Sequence, residues 1–105
     1  MNHSVTGAKR ERAEGKGRFD LISPYFLLRL AKRLEHGAKK YGDRNWEAGE
    51  PYSWFVDAAL RHIEQWLMGM QDEDHLAAAG FNIMGLVHME QTHPELDDVH
   101  AGGKE

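Results

Sequence analysis

Apolar residues recur at helical spacing in three stretches of the chain, separated by polar, charged or glycine-containing segments. The first stretch opens at Ser23-Pro24, where a hydroxyl N-cap followed by proline at the first helical position suits the unpaired amides of a helix start. Leu27, Leu30, Ala31, Leu34, Ala38 and Tyr41 make its apolar stripe, and Gly42 is a fitting terminator. Arg29, Lys32, Arg33, His36, Lys39 and Lys40 make the other face basic, to be read as a solvated face or as a source of phosphate attraction. The second helix is predicted from about Ser53 to Leu67 or Met68, stopping near Gly69. Ala59, Leu60, Ile63, Trp66 and Leu67 form its apolar face, Asp57, Arg61 and Glu64 a polar stripe, and His62 the boundary between them.

The third helix is predicted to begin within QDEDH, where acids suit the positive end of the helix dipole, and to run to about His88 or Gln91. Its run LAAAGFNIMGLV is apolar almost all round, so this helix should be central. His75 and Asn82 lie seven apart on one face, with Asp72 in reach of His75. They either satisfy one another's neighbours or serve chemistry, because a buried polar group without a partner costs roughly 1 to 3 kcal/mol. Asp57 and Arg61 are equally a helical i, i+4 ion pair. In the connection GDRNWEAGEPY, Asn45 and Trp46 stand out, the tryptophan being either a plug at a core edge or a stacking surface for a planar ligand.

At 105 residues and 41% hydrophobic content the chain has the size and apolar content of one domain with a modest core. An all-α protein is expected, a small bundle of three main helices over residues 20–91. Residues 1–19 are expected to be a flexible arm, and 92–105 a loose tail. Two helices are too few to cover the third, so completion by a homo-oligomer, dimer or tetramer, is expected.

A net charge of −4 argues against stable nucleic-acid binding. The absence of cysteine removes disulfides and thiolate chemistry, and no apolar run approaches the ~20 residues that span a bilayer. The expected setting is cytoplasmic. No phosphate loop, nucleophile elbow, dinucleotide fingerprint or HExxH motif is present. An acid and amide cluster opposite basic residues instead suits hard cations such as magnesium or manganese, which bridge phosphate oxygens.

The segments GAKKYGDRNWEAG, PYSWFVDAALRHIEQWLMG and DEDHLAAAGFN resemble the phage-associated dATP/dGTP diphosphohydrolase family over roughly residues 18–91. That family looks like the all-α, MazG-like nucleoside triphosphate pyrophosphohydrolases. The resemblance implies an oligomeric helical bundle that uses Mg2+ or Mn2+ to split a purine (d)NTP into monophosphate and pyrophosphate. It departs from the wider pattern of EExxE followed by ExxD, because Arg61 stands where a second acid is expected, and His75 and Ala78 replace the later pair.

On that resemblance the candidate metal ligands are Asp57, Glu64, Asp72, Asp74 and His75. Asp57 and His62 are the candidate catalytic groups, His62 being a ligand, a general base or a core histidine. Lys39, Lys40 and Arg61 are candidates for phosphate contact, Asn45 and Trp46 for reading and stacking a purine, and Asn82 for an amide that either supports the metal ligands from behind or contacts the base. Two other readings compete: a relative that binds nucleotide without cleaving it, and a small helical interaction protein.

Overall fold

The computed structural model describes residues 2–3, 7–10 and 14–100. Three helices dominate them: α1 (Pro24–Tyr41), α2 (Tyr52–Leu67) and α3 (His75–Thr92). Short 3-10 turns at Phe19–Leu21, Asn45–Ala48 and Pro94–Leu96 connect or flank the helices. The fold is all-α apart from a two-residue antiparallel pairing, Asn2 with Arg10 and His3 with Lys9. The arm expected over residues 1–19 falls partly outside the described residues.

α1 begins as its sequence directs: Ser23 Oγ accepts the Phe26 amide at 3.3 Å and Pro24 takes the first turn. It ends at Gly42, with φ 95°. α3 lies against both other helices, which makes it the central element. Its buried side is built from small residues, Ala78, Ala79 and Gly85, with Asn82 and Met89. Small residues on one helix leave room for a large one opposite, and Phe55 of α2 fills it at 2% exposure, clustered with Tyr52 and Met89.

The buried stripe of α2 therefore differs from the one its sequence suggests. Tyr52, Phe55 and His62 are buried, whereas Leu60 and Leu67 are each 64% exposed. His62, expected at a boundary, lies inside because α3 offers it a polar partner rather than an apolar wall.

The close approach of α2 and α3 depends on Gly85. A Cβ there would stand 2.6 Å from the Phe55 ring, and that ring is held on all sides. Alanine is the better helix former by about 1 kcal/mol, but overpacking a filled core costs typically 1 to 3 kcal/mol. Gly85→Ala is therefore expected to lower the melting temperature. Gly80→Ala, which meets only the half-exposed Phe26 ring at 2.8 Å, should lower it less or raise it. Thermal denaturation of the two variants side by side checks the contrast.

Residues 93–100 carry more structure than the loose tail expected from 92 onward. Leu96 packs against the core cluster, and the left-handed Gly49 (φ 104°) lies where a Cβ would come within 2.9 Å of it. Asp98 accepts both the amide (2.9 Å) and the hydroxyl (2.5 Å) of Ser53. α2 has no cap from its own N-cap residue, Pro51, so the tail supplies one. Residues 101–105 lie outside the described residues.

Candidate functional site

The hairpin between α2 and α3 concentrates the polar groups. α2 ends at Leu67, Gly69 (φ 80°) turns the chain, and the amides of Gly69 and Met70 return to the carbonyls of Trp66 and Gln65. Three consecutive acids follow, and the fold gives each a different task. Asp72 Oδ1 lies 2.7 Å from His75 Nε2. Glu73 pairs with Arg33 at 2.9 Å. Asp74 caps α3 by accepting the Ala77 amide and takes a two-pronged hydrogen bond from Arg29 at 2.7 and 2.8 Å.

Asp74 is thereby fixed as a structural group. The Arg29 guanidinium, chiefly, with help from the Ala77 amide, holds its pKa down to about 2 against the desolvation that would raise it. A folded-state value below the ordinary carboxylate range makes the group stabilising at neutral pH. That contribution should be complete above about pH 4 and fade as pH falls toward 2. Because the pair is partly solvated, its worth is on the order of 1 kcal/mol. Asp74→Ala should lose that much at pH 7 and flatten the acid decline, read as urea midpoints across pH.

His62 and His75 meet inside the hairpin. They are 7% and 2% exposed, and their Nδ1 atoms stand 3.0 Å apart. With His75 Nε2–H donating to Asp72, the His75 Nδ1 lone pair is left to accept a hydrogen bond from His62 Nδ1–H. Burial lowers the pKa of His62 and favours its neutral form. Glu73 completes the cluster: one ligand atom from each of His62, Glu73 and His75 lies within 4.8 Å of the others. Glu73 and His75 border a cleft of about 270 Å³ that Arg29, Trp66 and Asp74 also line.

A second cleft, of about 530 Å³, gathers three of the sequence candidates, Asp57, Arg61 and Asn82, with Glu50, Ser53 and Trp54. Asp57 and Arg61 form an exposed pair at 3.2 Å. Asn82 is buried and donates to the Ala78 carbonyl at 2.8 Å, which commits one of its two N–H groups. Trp54 is 60% exposed.

The remaining candidates are placed elsewhere. Glu64 is exposed on α2, and Lys39 and Lys40 are exposed in the last turn of α1; none of the three borders either cleft. Asn45 is exposed at the start of a 3-10 turn. Trp46 stands edge-on to His88 (4.8 Å) and Phe81 (6.3 Å), so it is a plug against α3 and not an open stacking surface. The five candidate metal ligands do not converge: Asp57 lines one cleft, Asp74 is tied to Arg29, and Asp72 reaches the buried pair only through the outer nitrogen of His75.

Two groups escaped the sequence reading. Glu73 stands between two acids that were singled out, and nothing in its spacing ranks it above them. Trp54 did carry a signal, since it precedes Asp57 by three residues and Arg61 by seven, on the same helical face.

Among the described residues no helix is long and apolar enough to cross a membrane. No curated protein and no solved structure matches the chain. The family model described as dATP/dGTP diphosphohydrolase, N-terminal, matches residues 6–99, and the chain belongs to that family.

Proposed function

We propose that the chain cleaves a purine deoxynucleoside triphosphate, dATP or dGTP, into the monophosphate and pyrophosphate, with Mg2+ or Mn2+ as cofactor and the cleft at Asp57, Arg61 and Asn82 as the binding site. Membership of the family carries the reading. The cleft's lining supports this choice of site, because it combines an exposed aromatic ring, an amide, a guanidinium and two carboxylates.

Trp54 offers a face on which a base can stack, an interaction worth about 1 to 3 kcal/mol. Asn82 has an N–H and a carbonyl oxygen of hydrogen-bonding capacity beyond its bond to Ala78, enough to address a base edge. Arg61 is held only by a solvated pair, so an arriving phosphate, which accepts two parallel bonds, can draw it from Asp57. That exchange frees Asp57. Magnesium is commonly held by one or two carboxylates together with substrate phosphates, and Glu50 with Asp57 fits that donor set. When bound, the cation neutralises charge on the phosphates and on the departing pyrophosphate.

The same reading includes self-association. Leu60, Ile63 and Leu67 recur along one exposed face of α2, an apolar stripe that a second copy would cover. Light scattering should give a dimer or tetramer.

The test is to incubate the protein with each of the four dNTPs and the matching NTPs in Mg2+ and in Mn2+, and to separate the products by ion exchange. Purine dNTPs should be consumed fastest, and no consumption of any triphosphate would refute the reading.

A further inference from the structure

The histidine pair lies outside the nucleotide cleft described above and has its own chemistry. We propose that His62, Glu73 and His75 bind a divalent transition-metal ion, with zinc and cobalt favoured over manganese and with magnesium excluded. This assignment stands whether or not the chain cleaves nucleotides.

The donor set comes first. Two imidazole nitrogens and one carboxylate suit borderline cations, and affinity for such a set rises from manganese through cobalt and is high for zinc. Magnesium demands oxygen donors in near-octahedral array and does not fit two buried imidazoles.

The geometry agrees. Two zinc–nitrogen bonds of about 2.0 to 2.1 Å at a tetrahedral angle place the nitrogens about 3.3 Å apart. The two Nδ1 atoms stand at 3.0 Å, so a few tenths of an ångström of widening admits the ion. Glu73, on the exposed inter-helix turn and already within 4.8 Å, supplies the third ligand by turning from Arg33. Asp72 holds the outer nitrogen of His75 at 2.7 Å, the arrangement that fixes the tautomer and ring angle of a metal-ligating histidine. Glu73 and His75 border a cleft, which would give the ion a path from solvent. Ligation through both Nδ1 atoms needs the neutral His62 to carry its proton on Nε2, a tautomer shift that leaves its Nδ1 lone pair for the ion.

The full-length protein, stripped with chelator and dialysed, is titrated with Co2+ and then Zn2+, with calorimetry and the visible absorption of bound cobalt as readouts. One cobalt per chain should bind with a tetrahedral-type spectrum, zinc should displace it, and a large excess of magnesium should not. Ligand loss in His62→Ala should weaken binding by more than about 100-fold, and Asp72→Asn, which acts through His75, by roughly 10- to 100-fold. Should His62→Ala fail to fold by circular dichroism, Glu73→Gln, on the exposed turn, keeps the test open and should weaken binding by at least about 10-fold.

Absence of cobalt binding to folded wild-type protein would overturn the proposal and leave the pair a hydrogen-bonded contact. So would cobalt binding that His62→Ala and Glu73→Gln both leave unchanged. Turnover of dNTPs assayed in parallel separates the two claims: cleavage without cobalt binding refutes only the metal site, and cobalt binding without cleavage refutes only the hydrolase.

Discussion

Asp57→Asn should reduce dNTP turnover by two orders of magnitude or more while leaving the melting temperature almost unchanged. The two halves of that expectation have different sources. On the proposed reading Asp57 gives a carboxylate to the cation, and losing several kcal/mol of charge stabilisation in the transition state costs about tenfold per 1.36 kcal/mol. Its contact in the free protein is a solvated ion pair with Arg61 at 3.2 Å, the side chains 76% and 52% exposed, and such pairs contribute at most about 1 kcal/mol. Steady-state kinetics and thermal denaturation on the same preparation check both. Unchanged turnover would remove Asp57 from the site, and a large loss of stability would show that it holds the fold.

Phe55→Ala should have the largest effect on stability, about 3 to 5 kcal/mol. The buried apolar core contains, among the described residues, only Tyr52, Phe55, Met89 and three alanines. Removing its most deeply buried ring leaves a cavity against Gly85 that neither backbone can close, since both sit in regular helices. Typical domains are stable by about 5 to 15 kcal/mol, so the variant loses a large fraction of its margin and should melt well below the parent. Chemical denaturation at 25 °C measures the loss, and a value under 1 kcal/mol would mean that the packing of α2 on α3 tolerates a void.

How much of this was legible depended on whether local chemistry or a distant partner decided the outcome. The start of α1 at Ser23-Pro24, its end at Gly42 and the acidic entry to α3 are written in adjacent residues, and the all-α architecture follows from them. The buried face of α2 is not local. Leu60 and Leu67 are as apolar as any core residue, but α3 presents Gly85 and alanines where Phe55 fits, and His75 where His62 finds its partner. The tail is similar: Leu96 and Asp98 look unremarkable until the core edge and the N-terminus of α2 lie beside them.

Asp57, Arg61 and Asn82 line one cleft, and that grouping is partly local: helical periodicity alone aligns the first two, and the polar stripe of α3 offers the third. Asp74 reads in the sequence equally as a cap and as a ligand, because an acid before a helix suits both, and the reach of Arg29 across from α1 is visible only in the fold. Glu73 needed the hairpin to close before it could stand near two histidines thirteen residues apart.

The most direct measurement is phosphorus NMR of dGTP and dATP during incubation with the full-length protein and Mg2+ or Mn2+. Equimolar dNMP and pyrophosphate, with no orthophosphate or dNDP, is the expected outcome. Persistence of the intact triphosphates, or release of orthophosphate in place of pyrophosphate, would contradict the proposed reaction.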